Sequence, residues 1–196
     1  MNIINNIKYE HIIEFFDELK SYEIYGYIIG GQAYKYYYDD INDSTIDYDI
    51  ELYINYKQLN NLNTFINIHK CIKNLYNKCN QYINNLNKLN KFDYNKNYKK
   101  IYVPYRLIKN KTEYYNYNII CDIQIDNNID TLIDIMIIYT PNLKYIKQQI
   151  TSNYYITKQY FVHEITKYYN DLCKYKEKYI HKINKIKSRI NYIHNN

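Results

Sequence analysis

The residues with the most chemical content are Asp47 and Asp49, in the run Ile46-Asp47-Tyr48-Asp49-Ile50-Glu51-Leu52-Tyr53-Ile54. Alternation places Ile46, Tyr48, Ile50 and Leu52 on one face and Asp47, Asp49 and Glu51 on the other, the period of a strand over 46–54. Two carboxylates held side by side repel each other unless a cation lies between them. Oxygen-only donors select a hard divalent ion, Mg²⁺ or Mn²⁺. Upstream, Gly30 and Gly31 end the apolar run 24–29 and open a stretch, 32–38, that suits a short helix. The first N–H groups of a helix can hold an anion such as phosphate. A phosphate-binding turn followed by a metal-binding carboxylate pair is the equipment of a phosphoryl- or nucleotidyl-transfer site. A solvent-facing strand edge with acidic outward residues gives the same acidic pair, so the combination with the glycines carries the reading.

Composition adds weight to those glycines. The 196 residues include 30 Tyr, 3 Gly, 2 Pro, no Trp, two Arg (Arg106 and Arg189) and a single Ala, Ala33. Ile, Asn, Lys and Tyr are residues of AT-rich codons, so much of this usage reads as genome bias of the kind found in some large DNA viruses and some protists. The net charge of +6 therefore permits nucleic-acid contact without demanding it. Yet Gly26, Gly30, Gly31 and Ala33 all fall at one turn. The demand there is steric: positive φ, or a close approach that a Cβ would block.

Around this turn the chain reads as one α+β domain. Ile12, Phe15, Phe16 and Leu19 have helical spacing within 9–22. Residues 57–92 lack Gly and Pro and carry Leu62, Phe65, Ile66, Ile72, Leu75, Cys79, Ile83, Leu86 and Leu89 at helical spacing, a helical insertion of one or two helices. Strand-like runs follow at 101–108, 117–125 and 131–139, with polar turns at 110–113 and 127–128. The tail, about 157–193, is one long helical candidate. Its stripe is Ile165, Tyr169, Leu172, Tyr179, Ile183, Ile186, Ile190 and Ile193, interrupted at Lys176. Lys174, Lys178, Lys182, Lys185, Lys187 and Arg189 form the opposite face, either a solvated surface or a nucleic-acid contact. No run approaches the roughly 20 apolar residues of a membrane span, and residues 1–10 have no basic-then-apolar leader. Cys71, Cys79, Cys121 and Cys173 have neither disulfide-scaffold density nor CxxC spacing. A reduced, intracellular, cytoplasmic protein is expected, in virion or host cytoplasm if the chain is viral.

The run Ile28-Ile29-Gly30-Gly31-Gln32-Ala33 followed by Ser44-Thr45-Ile46-Asp47-Tyr48-Asp49-Ile50 resembles the nucleotidyltransferase signature of the DNA polymerase beta superfamily. With Ser/Thr just before the acidic strand, it looks most like the catalytic domains of poly(A) polymerases of poxviruses and other large DNA viruses. The resemblance implies a nucleotidyltransferase fold: a mixed central sheet flanked by helices, with a helical insertion at about 57–92 and a long C-terminal helix. It divides the chain into a catalytic domain, 1–150, and a basic helical tail, 151–196, packed on it. Gly30 and Gly31 would approach the triphosphate of an NTP, ATP by this likeness, with Ser44 or Thr45 adding a hydroxyl contact. Asp47 and Asp49 would carry Mg²⁺ or Mn²⁺, and a third carboxylate would hold the ion that activates an RNA 3′ hydroxyl for in-line displacement of pyrophosphate. Glu51 is not required by the motif and is read as supporting or structural.

Two residues compete for the third carboxylate, Asp122 in Ile-Ile-Cys-Asp-Ile-Gln-Ile and Asp134 in Leu-Ile-Asp-Ile-Met-Ile-Ile. Asp134 is favoured, because Leu132 and Met136 give its charge no polar neighbour in its own strand, whereas Asp122 has Gln124. Viral poly(A) polymerases are much longer chains. A compact enzyme, a piece that needs a partner subunit and a repurposed RNA-binding homologue are all compatible with this length. So is a transferase of the abortive-infection toxin type acting on tRNA or protein, although such toxins carry an Arg before the acidic pair where this chain has Asn42-Asp43.

Overall fold

The computed structural model describes residues 9–40, 43, 47–90, 98–103, 114–122, 129–175 and 179–195. It is an α+β fold in which helices flank a mixed five-stranded sheet of order β1-β2-β5-β4-β3. The strands are β1 (Tyr25–Ile29), β2 (Tyr48–Ile54), β3 (Tyr98–Val103), β4 (Tyr114–Asp122) and β5 (Ile129–Tyr139). β2 and β5 run parallel, and the other neighbouring pairs are antiparallel. The turns expected at 110–113 and 127–128 lie outside the described residues.

Helix α1 (Tyr9–Ser21) buries the four residues its spacing selects: Ile12, Phe15, Phe16 and Leu19. It ends where the Ile24 and Glu23 amides turn back to the carbonyls of Leu19 and Lys20, with Glu23 at a φ of 58°. This is a Schellman stop with Glu where Gly is usual. α2 (Gly30–Tyr37) follows β1 without an intervening loop. After β2, Asn55 and Gln58 cap the short α3 (Tyr56–Leu59) reciprocally. The expected insertion is then largely one helix, α4 (Leu62–Asn90). It packs on α1 with Thr64, Ile68, Cys71, Ile72 and Leu75 buried. Leu62 and Ile66, which the apolar spacing put on the stripe, instead face solvent.

The C-terminal region departs from the expected single helix. It forms α5 (Leu143–Gln148), α6 (Lys158–Cys173) and α7 (Ile180–Asn195), with α7 folded back on α6 so that Lys182 Nζ lies 5.4 Å from the centre of the Tyr168 ring. α6 already ends at Cys173, with Lys174 as its C-cap, so one continuous helix gives way to a pair. Between α5 and α6 the chain pairs with β1: the Ile28 amide donates to the Tyr154 carbonyl at 2.7 Å, and the Ile156 amide to the Ile28 carbonyl at 3.1 Å. Residues of α1, the central strands, α6 and α7 share one buried cluster. Among the described residues no helix is long and apolar enough to cross a membrane.

Candidate active site

Strand register assembles the site. In the parallel ladder, Tyr48, Ile50 and Leu52 stand opposite Ile133, Ile135 and Ile137, and all six are buried. The alternate positions pair Asp49 with Asp134 and Glu51 with Met136. Adjacent residues in register share a face, so Asp49 and Asp134, 85 positions apart in the chain, become cross-strand neighbours. Asp122, the rival, closes β4 opposite Ile129, four residues along β4 from Asn118, which pairs with Asp134. Asp47 precedes β2 by one residue.

Gly30 explains why the turn is glycine. In the antiparallel pair, Ile29 stands opposite Asp49, so the next residue meets the Asp49 side chain. Gly30 has a φ of +63°, and a Cβ there would lie 2.0 Å from Asp49 Oδ2. Gly26 is excluded from bearing a side chain in the same way, since a Cβ would lie 2.3 Å from the Glu51 carbonyl oxygen. Both steric reasons expected from the sequence operate: positive φ at Gly30, close approach at both. Gly31 is buried in α2, whose N-terminus has no side-chain cap for its first N–H groups. Ser44 and Thr45 lie outside the described residues.

The electrostatics are those of crowded carboxylates. Burial pushes the Asp49 carboxyl up to about 6, and the charges of Asp47 and Asp134 add to the rise. Asp134 is raised as well, by burial first and then by Asp47. Lys182 opposes the rise at both and Arg189 at Asp49, so α7 presents cations to this face of the sheet. Glu51 has a different role. The Tyr53 hydroxyl donates to its Oε2 at 2.6 Å, which leaves the Tyr27 hydroxyl to donate to Tyr53 at 2.7 Å. That relay satisfies the buried carboxylate within the sheet and fits the structural reading.

The basic face of the tail is changed by the fold. Arg189, expected on the exposed side with the lysines, is buried against Asp43. Lys174 pairs with Asp171, Lys178 lies outside the described residues, and Lys182, Lys185 and Lys187 face solvent. Sequence reasoning missed this place for Arg189. The signal was available, because Ile183, Ile186 and position 189 follow a three-residue step that makes 189 a core position.

Among the described residues no three His, Cys, Asp or Glu side chains are grouped closely enough to hold a metal ion as they stand. Asp47, Asp49 and Asp134 nevertheless suit Mg²⁺ or Mn²⁺. They are hard oxygen donors, and the charges of Asp47 and Asp134 raise the proton affinity of Asp49, as that of Asp47 does at Asp134. Comparison with protein-family models, curated proteins and solved structures finds no match.

Proposed function

We propose that this chain is a metal-dependent nucleotidyltransferase that moves a nucleoside monophosphate, AMP in the first instance, from an NTP to an RNA 3′ hydroxyl. The observation that carries the reading is the pairing of Asp49 with Asp134 beside the Gly30 turn. A strand edge that is acidic by chance gives an Asp-x-Asp, but it does not place a third carboxylate from a distant strand next to it. The nucleotidyltransferase fold belongs to the same proposal, supported by the strand–Gly-Gly–helix–acidic strand order and by the mixed sheet.

The chain's own groups divide the work. Gly30 admits the Asp49 carboxylate beside the turn, and the uncapped amides of α2 would donate to the oxygens of a phosphate. Asp47, Asp49 and Asp134 would hold Mg²⁺ or Mn²⁺, which supplies charge neutralisation and a more acidic acceptor hydroxyl. The acceptor oxygen–phosphorus bond forms as the bond to pyrophosphate breaks, and the hydroxyl proton leaves to solvent. Lys182 lies within electrostatic reach of Asp49 and Asp134 and would add positive charge against a bound polyphosphate.

The test is incubation of the purified chain with each NTP in turn, Mg²⁺ or Mn²⁺, and a short RNA, resolved on a gel. A metal-dependent ladder with ATP is the expected result. Label transferred to tRNA or to protein would keep the site and change the acceptor. RNA binding that ignores both NTP and metal, with no incorporation into any acceptor, would overturn the enzyme reading.

A further inference from the structure

Helix α7 carries one residue that neither a basic surface nor an apolar stripe explains. Arg189 occupies a core position with its side chain 9% exposed, and its Nε donates to Asp43 Oδ2 at 2.6 Å, a carboxylate itself 3% exposed. Its guanidinium carbon lies 5.2 Å from the centre of the Tyr34 ring, and the Tyr34 hydroxyl donates to Asp40 at 2.8 Å. The Tyr192 hydroxyl donates to the Asp39 carbonyl at 3.0 Å. These contacts fasten the end of the chain to the segment that leads from α2 towards β2.

A buried ion pair is a poor device for stability alone. Replacing such a pair with apolar residues of similar volume is often neutral or stabilising. This chain has only two Arg and places one of them here. What the pair does fix is position. Asp43 stands four residues before Asp47, and four residues span at most about 14 Å, so holding Asp43 confines Asp47.

We infer that Arg189 is a positioning residue for the carboxylate site: by clasping Asp43 it limits the positions open to Asp47, four residues on, and so couples docking of α7 to divalent-ion affinity. The inference rests on the reading of Asp47, Asp49 and Asp134 as metal ligands. Arg189 itself touches neither ion nor substrate.

The experiment titrates the full chain with Mn²⁺, followed by electron paramagnetic resonance, alongside thermal melting. Single substitutions strand a buried charge and should unfold the chain readily, so the informative variant is the double Asp43→Leu/Arg189→Met. It should melt near the wild type yet bind Mn²⁺ about tenfold more weakly, an effect within the usual range of allosteric coupling. A double variant that binds Mn²⁺ as tightly as the wild type would reduce the clasp to a staple and leave the metal reading intact. A wild-type chain that binds no Mn²⁺, or binds it as well after Asp49→Asn, would defeat the metal reading itself. Coupling is reciprocal, so a second measurement needs no variant. Mn²⁺ added to the wild type should slow amide hydrogen exchange along residues 186–193 by a factor comparable to the affinity difference. Unaltered exchange there, with Mn²⁺ bound, would overturn the inference.

Discussion

Asp49 stands where a stability argument alone would not place a carboxylate. It is largely buried beside two other acidic residues, and its proton affinity is raised until it titrates near pH 6. The folded chain therefore keeps a proton that the unfolded chain has released, between about pH 4 and 6. Stability from this group falls as pH rises through that window, and above it the full cost is present. Asp134 contributes in the same direction. Asp49→Asn should accordingly stabilise the metal-free protein at pH 7, by on the order of 2–3 kcal/mol, with the gain closing towards pH 4. Mg²⁺ should raise the melting temperature of the wild type and not that of the variant. Thermal melts across pH, with and without Mg²⁺, check both statements. A variant less stable than the wild type at pH 7 would show that Asp49 is an ordinary structural carboxylate. The presence of glycine at 30 follows from the same geometry, because the Asp49 side chain occupies the space a Cβ would need.

At the scale of elements, local patterns were informative where one face of one element decides the outcome. The α1 stripe and the alternation of β2 could be read directly, because burial on a single face repeats with the period of the backbone. The neighbour of β2 could not be read. Alternation says which residues share a face, but not that β5 lies parallel beside β2 with Asp134 opposite Asp49. Asp134 has no polar neighbour two residues away in its own strand, yet in register it stands opposite Asp49 of β2 and Asn118 of β4. In the tail the apolar series, interrupted only at Lys176, suggested one helix, whereas α6 ends at Cys173 and α7 starts at Ile180. A polar residue on an apolar stripe removes one packing contact from a helix, which lowers the advantage of one long helix over two shorter ones. The stop of α1 yields a prediction at this scale. Glu23 adopts the left-handed conformation that a Cβ disfavours, so Glu23→Gly should stabilise the fold by about 1 kcal/mol, read by denaturant unfolding. A loss of stability would mean that the Glu23 side chain does more than occupy the turn.

Over the whole molecule, distant segments converge on one face of the sheet. Residues 150–156 extend the sheet beyond β1, and α6 and α7 then bring Glu164, Lys182 and Arg189 within electrostatic reach of Glu51, Asp49 or Asp134. Of the candidate site, Gly30, Asp47 and Asp49 belong to a contiguous motif legible in the sequence. The rest depends on contacts between segments more than 80 residues apart, which no local pattern encodes. The central claim is that three carboxylates from β2, its approach and β5 form one reactive site. Its most direct test is single-turnover addition of labelled nucleotide to a short RNA with Mg²⁺, comparing the wild type with Asp49→Asn, Asp134→Asn and Asp122→Asn. Loss of addition by about a hundredfold or more in the first two, with Asp122→Asn near the wild type, is the predicted result. Addition that survives Asp49→Asn, or that fails only in Asp122→Asn, would contradict it.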